Sequence, residues 1–331
     1  MAWADEISGR LIDEPVSIYV AVLKKTIVGF AAYECTRKTL IRPTGVADLV
    51  RGRSFGRALP IASVEAIRTN ARGCENQQEP DKLIMQLLPF SAFGRIFEPL
   101  RGRRIGYVRL QGNVGDSLIE AAAFQMMRYF DIDFVVTKPF PSAKVDEWLI
   151  AGGGNMGSYY ENCQRVRRQV LADGRPVSVL PQSFITPEQF AYKRVFVRER
   201  ASLNLRPDAL LAPDLALGLD IPWHWKLFLG LNRRRQSRLT IDKGLWLRHD
   251  REALFSQSRS LGDPVECCRS PFQYLRLATG YRHVITDRLH FAVAALLCGR
   301  KTTLLPNSYH KNRSMYETWL HELGCEWRDA P

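Results

Sequence analysis

The segment Thr286-Asp287-Arg288-Leu289-His290-Phe291 joins a short apolar run, His283 to Ile285, to a small-residue stretch that ends at Gly299. Its setting reads as a strand-to-helix junction. In open α/β sheets such junctions, at the carboxyl ends of strands, are where ligands bind, and the first amides of the helix favour anions. An arginine and a histidine two positions apart could meet one anionic substrate there. Arg288 offers a planar fork of donors, and His290 ordinarily exchanges protons near neutrality. The competing reading is a structural salt bridge at Arg288 and a satisfied, half-buried His290. The rest of the chain has to decide between them.

Arg104 to Leu110 reads as a strand, Gln111-Gly112-Asn113-Val114-Gly115-Asp116 as a tight loop, and Ser117 to Tyr129 as a helix capped by Asp116 or Ser117. The loop lacks both the full G-x-G-x-x-G fingerprint and the Walker lysine, so neither NAD nor ATP is implied. A second strand, Glu147 to Ala151, runs into Gly152-Gly153-Gly154-Asn155-Met156-Gly157, read as a glycine loop with room for a bulky ligand. Three more apolar runs end in polar residues, at Gln182-Ser183, Arg198 and Asp214. Repeated strand-polar-helix units predict an α/β chain whose functional groups gather along one sheet edge.

Taken in order, Gly112-Asn113-Val114-Gly115-Asp116, Gly152-Gly153-Gly154-Asn155, Leu180-Pro181-Gln182-Ser183, Arg198-Glu199-Arg200-Ala201-Ser202, Ala212-Pro213-Asp214 and Asp287-Arg288-Leu289-His290 resemble the polysaccharide pyruvyltransferase family. The match spans roughly residues 103 to 325. Leu305 to Glu317 resembles the branch acting on bacterial exopolysaccharides. The resemblance implies a ketal-forming enzyme with phosphoenolpyruvate as donor. It also implies two Rossmann-like lobes similar to a two-domain, GT-B-like glycosyltransferase. It places donor recognition on Arg288, Leu289 and His290, and on Arg198. The residue chemistry agrees: a donor carrying a phosphate and a carboxylate needs separated cations, preferably guanidiniums, with Lys311 a third candidate. His290 is the candidate general acid or base. Asn113, Asp116, Gly153, Gly154, Asn155 and Asp214 are acceptor or loop candidates, with a second proton relay, or a cap or turn role, as alternatives for the two aspartates. No metal is expected, since no ligand spacing suggests one, and no cofactor beyond the donor substrate.

Three organisational blocks are predicted: an extension over residues 1–101, a first α/β lobe over 102–218 carrying the glycine loops, and a second over 219–331 carrying the Arg-Leu-His motif. The matched region is short for two complete lobes, which a reduced second sheet would meet. Gly73 to Asp81 reads as a polar linker, and the arginine-rich Asn232 to Arg238 as the lobe junction. Trp223 and Trp225 suit either sugar stacking or packing.

With 331 residues, 46% of them hydrophobic, the chain can bury a substantial core. A net charge of +13 points to an acidic partner. No zinc finger, RNA-recognition motif or basic zipper is present, so nucleic acid is not the favoured one. Ser17 to Tyr33 is apolar but interrupted by Lys24 and Lys25, short of a membrane span, and acidic residues precede it where a signal peptide would be basic. Seven cysteines without C-x-x-C spacing suggest reduced thiols. A cytoplasmic protein is therefore expected. Apolar residues beside Arg101 to Arg104 allow either peripheral contact with an anionic membrane face or packing against the catalytic lobes. The partners follow as phosphoenolpyruvate and a polysaccharide or lipid-linked acceptor. Two other classes stay open: a sugar-nucleotide glycosyltransferase, and a non-catalytic carbohydrate- or polyanion-binding protein.

Overall fold

The computed structural model describes residues 16–23, 26–34, 41–46, 86–137, 144–222, 225, 226, 229, 231, 241–256 and 258–331. The chain divides into two compact units, Met1–Leu83 and Ile84–Pro331. In the first, β1 (Val16–Leu23), β2 (Thr26–Glu34) and β3 (Ile41–Val46) form an antiparallel sheet in that order. The apolar stretch from Ser17 to Tyr33 is thus shared between two paired strands. The predicted linker at 73–81, Trp223, the arginine run at 232–238, Cys35 and Cys74 lie outside the described residues.

The second unit is mixed α/β with two parallel sheets. The larger contains β4 (Arg104–Val108), β5 (Asp133–Val136), β6 (Glu147–Ile150), β7 (Gly153–Met156), β8 (Val177–Phe184), β9 (Arg194–Val197) and β10 (Leu210–Leu211). Its order is β10-β9-β8-β6-β4-β5, with β7 paired to the far half of β8. Side chains alternate across it as the pleat requires. Ile105, Tyr107 and Leu149 enter one core and Val108, Trp148 and Ile150 the other. Helix α1 (Val114–Tyr129) covers the first face and α2 (Glu161–Ala172) contributes Val170 to the second.

The strand order reverses at β4: the chain crosses to β5 on one side, then returns to β6 on the other. A crevice at the carboxyl ends of β4 and β6 follows from that reversal. Both glycine segments open there. The second is not simply a loop, as the sequence suggested. After a break at Gly153, whose φ of +149° suits only glycine, residues Gly153–Met156 rejoin the sheet as β7. An apolar strand pattern could not reveal this, because the strand is Gly-Gly-Asn-Met.

The smaller sheet runs β11 (Ile241–Trp246), β12 (Tyr281–Thr286), β13 (Lys301–Leu304), β14 (Cys325–Trp327). Its helices are a short α3 (Pro264–Cys267), α4 (Pro271–Thr279), α5 (Leu289–Leu297) and α6 (Lys311–Met315). Leu118, Ala122 and Met126 of α1 share one hydrophobic cluster with Tyr274 and Leu275 of α4 and Phe291 of α5, so the sheets meet through these helices. Fully buried Ala292, Ala294 and Ala295 keep α5 thin enough to lie close against its neighbours. The last helical segment turns inward from its first residues, with Lys311 and Asn312 buried, and ends in a wide π turn, Tyr316–Leu320. The cause is polar: the Asn312 amide donates to the Asp287 and Leu305 carbonyls, at 2.7 and 2.9 Å, drawing the chain inward early. Among the described residues no helix is long and apolar enough to cross a membrane.

Candidate functional site

A cavity of about 110 Å³ opens where the carboxyl ends of the two sheets face each other. Gln111, Gly112 and Asn113 follow β4, Gly154 and Asn155 lie on β7, Arg198 follows β9, and Arg248, Arg288 and Lys311 follow β11, β12 and β13. The resemblance-derived donor residues Arg198, Arg288, Leu289 and His290 and the third candidate cation, Lys311, therefore converge, together with Asn113, Asp116, Gly154 and Asn155. Gly153 and Asp214 stand directly behind this wall, each in contact with one of its members.

The four cations differ in how far carboxylates already occupy them. Arg198 is 1% exposed; its Nε donates to the Ser183 hydroxyl and its Nη1 to Asp214 Oδ2, both at 2.8 Å. Its Nη2 stands over Gly154, where a Cβ would come within 2.7 Å of it. Only glycine leaves this guanidinium edge open to the cavity. Burial works against the charge of Arg198, but Asp214 and Glu199 outweigh it and raise its pKa. Arg288 is more fully engaged: Nε and Nη2 grip Asp263, and Nη1 lies 2.8 Å from Asp250. Asp263 also caps α3 by accepting from the Val265 amide, which fixes the clamp to the chain. Arg288 is thus a salt-bridge hub that also lines the cavity.

Sequence reasoning missed the strand end Arg248-His249-Asp250-Arg251-Glu252. Arg248 contacts Asp250 through Nε at 2.8 Å and Glu252 through Nη1 at 2.6 Å. Glu252 in turn accepts from Lys311 Nζ and the Tyr160 hydroxyl, both at 2.7 Å. Burial pushes its carboxyl up, but Lys311 and Arg248 hold it near about 2. Lys311 moves the other way: burial, with Arg248 and Arg198 adding, lowers its ammonium to about 8 against the pull of Glu252. Alternating charge directly after the apolar run Leu245 to Leu247 was the available signal. Tyr160 carried none, because a tyrosine after a glycine segment is ordinarily packing.

His290 sits in the first turn of α5, and its Nε2 is 3.3 Å from both Asp214 Oδ2 and Arg198 Nη1. The first turn of α1 lies against its other edge, since a Cβ on Gly115 would fall 2.8 Å from Nδ1. Two helix N-termini, and their partial positive charge, thus face the same space. Asn113, rather than Asp116 or Ser117, is the N-cap of α1: its Oδ1 accepts from the Gly115 amide at 2.8 Å, and Asp116 Oδ2 returns the bond to the Asn113 amide at 2.7 Å. Asp214 accepts from the Ala216 amide as the cap of a short turn. Burial acts on it first and upward, but His290 and Arg198 keep its carboxyl well below the usual range. Asn155 is buried and its Oδ1 has no partner among the described residues. Among the described residues no group of three or more His, Cys, Asp and Glu side chains is placed to hold a metal ion.

The site is thus a cation-lined cleft at the switch point of an α/β fold, with a histidine held by a buried aspartate. The model of the polysaccharide pyruvyl transferase family matches residues 113–309, more than half of the chain and all of the site except Lys311 and the strand-end residues Gln111 and Gly112. The chain belongs to that family. No curated protein matches significantly. Among solved structures, it is similar to a functionally uncharacterized protein from Klebsiella pneumoniae subsp. pneumoniae NTUH-K2044, at 22% identity and a TM-score of 0.49 over 70% of this chain and 94% of that one. A galactofuranose binding protein follows at 11% identity and a TM-score of 0.29, over 61% of this chain and 75% of that one.

Proposed function

We propose that the cleft binds phosphoenolpyruvate and transfers its pyruvate to two hydroxyls of one sugar in a bacterial exopolysaccharide or its lipid-linked precursor, as a cyclic ketal. One observation carries this reading. Four cationic side chains from four strand ends, Arg198, Arg248, Arg288 and Lys311, surround a cavity of about 110 Å³. That volume suits a donor of phosphoenolpyruvate's size. A sugar nucleotide, of a size that fills about 300–1,000 Å³, would have to extend beyond this cavity. The two-sheet arrangement with the site between carboxyl ends is compatible with a GT-B-like ancestry, which stays part of this proposal.

In the reaction, a proton added to the donor methylene carbon makes a methyl group and an oxocarbenium-like centre. One sugar hydroxyl adds to that centre and loses its proton. The carbon–oxygen bond to phosphate breaks, phosphate takes up a proton, and the second hydroxyl closes the ring with loss of its own. Charge moves onto the departing phosphate, where Arg198 Nη2 and Lys311 stabilise it electrostatically. His290, oriented by Asp214, handles a hydroxyl proton. Asp116, Asn113 and Asn155 border the side from which the acceptor approaches. These cations neutralise phosphate by themselves, so turnover is expected to survive excess EDTA; loss on chelation and recovery with magnesium would contradict this.

The direct test is ligand-induced thermal stabilisation of the purified chain. At about 100 times its dissociation constant, phosphoenolpyruvate should add about 2.7 kcal/mol and raise the midpoint, while sugar nucleotides leave it unchanged. The opposite pattern would overturn the proposal in favour of a glycosyl donor.

A further inference from the structure

Beside the donor cavity lies a second, of about 250 Å³, lined by Tyr107, Arg109, Leu110, Ser117, Glu120 and Ala151. The two share a wall, since Gly112, Asn113, Asp116 and Asn155 border both. Ketal formation requires two acceptor hydroxyls to reach one donor carbon, within about 3–3.5 Å before bonds form, so donor and acceptor must meet across such a wall.

The second cavity carries unmet hydrogen-bonding capacity. Asn155 Oδ1 and the Tyr107 hydroxyl are buried and lack partners among the described residues. Leaving such groups unpaired is costly, and a bound ligand that pairs them recovers the cost. Tyr107 is held by its ring, packed edge-on against Phe124 at 5.1 Å, so its hydroxyl is not the source of its placement. Burial, then Glu120, raise the pKa of this phenol, with Asp116 adding and Arg109 opposing, which sets it among the polar groups of the cavity. Arg109 pairs with Glu120 at 2.6 Å, and no lysine lines the space. With Asp116 the lining holds one cation against two carboxylates, which disfavours an anionic ligand here, unlike the four cations next door. Leu110 and Ala151 add an apolar surface suited to the C–H face of a sugar ring.

We propose that this second cavity is the acceptor subsite and that it takes one neutral pyranose unit, with the hydroxyl pair turned toward the shared Asn113-Asp116-Asn155 wall. The proposal rests on the donor reading of the first cavity.

The test is saturation-transfer NMR on the full chain, with the methyl glycosides of glucose, galactose, mannose and glucuronic acid at millimolar concentration. Ser117→Leu, at a half-buried position in the first turn of α1, fills the cavity. Tyr107→Phe removes only the hydroxyl. At least one neutral glycoside should give a signal, weakened roughly tenfold or more by Ser117→Leu and about threefold by Tyr107→Phe, while the phosphoenolpyruvate-induced thermal shift is retained. Should Ser117→Leu not fold, Tyr107→Phe decides. No signal from any neutral glycoside, a stronger one from the glucuronide, or an unchanged signal in the folded variants would overturn the subsite. If phosphoenolpyruvate gives no shift in the wild type while the glycoside signal is still lost in the variants, the donor reading fails and the sugar site stands.

Discussion

His290 Nε2 lies 3.3 Å from Asp214 Oδ2, the same oxygen that Arg198 Nη1 reaches at 2.8 Å. One buried carboxylate therefore orients both the candidate acid–base and the candidate phosphate ligand. His290→Asn keeps the size of the side chain but removes proton exchange, and turnover is expected to fall roughly 10²-fold or more with the thermal midpoint held. Asp214→Asn should behave differently. It leaves the Arg198 charge buried and poorly compensated, at a cost of about 3–5 kcal/mol, so stability and turnover drop together. Phosphate-release assays beside thermal melts of both variants separate the two roles, and near-normal turnover in His290→Asn would remove it from catalysis.

Arg288 grips Asp263 with two nitrogens and Asp250 with the third. A lysine has one ammonium and cannot serve both carboxylates while presenting charge to a donor. Arg288→Lys is accordingly expected to lose affinity for phosphoenolpyruvate and to melt earlier. Calorimetric titration beside a melt checks this; a lower midpoint with unchanged affinity would make Arg288 a clamp for the Asp250 and Asp263 segment and nothing more.

The parts of this site legible in the sequence are those fixed by local chemistry. Strand, glycine segment and helix at 104–129, and strand followed by Arg288-Leu289-His290, put functional groups at strand ends because an α/β chain offers no other place for them. What escaped the reading depends on contacts distant in sequence. Asp250 and Glu252 matter only because Arg288 and Lys311, some 40 to 60 positions away, close ion pairs on them, and Arg248 joins the site through the same two carboxylates. The strand at Gly153–Met156 is set by pairing with β8 and not by its own propensity. The buried, unpartnered oxygens of Tyr107 and Asn155 become visible only when every neighbour is in place.

Lys311 gives the donor site a pH dependence. Its ammonium, lowered to about 8 chiefly by burial, is charged below that pH and neutral above it. Affinity for phosphoenolpyruvate is expected to fall about twofold between pH 7 and 8 and roughly tenfold by one unit above the pKa. Lys311→Arg, whose guanidinium does not titrate there, should hold its affinity across the same range. Titrations at pH 7, 8 and 9 on both proteins test it, and a level wild-type curve would exclude Lys311 as a charged donor ligand.

Asp287 makes an opposite kind of prediction, on stability. Its Oδ1 accepts from the Arg248 amide at 2.8 Å, while Oδ2 is buried without a partner among the described residues. Burial raises its carboxyl from 3.8 to about 6, although the Arg248 amide and the charges of Arg248 and Arg288 pull downward. Between about pH 4 and 6 the folded chain holds a proton that the unfolded chain has released. Stability contributed by this group is therefore lost as pH rises through that window, and above it the folded state carries a charged, half-satisfied carboxylate. The full effect is about 3 kcal/mol for a shift of about two units. Asp287→Asn keeps the Oδ1 acceptor and cannot ionise. Relative to wild type it should gain about 2–3 kcal/mol more at pH 7.5 than at pH 4.5, and taking that difference cancels whatever the amide itself costs in the buried position. Urea unfolding of both proteins at the two pH values measures it; the same pH dependence in variant and wild type would mean that Asp287 is already ionised in the folded chain at pH 4.5.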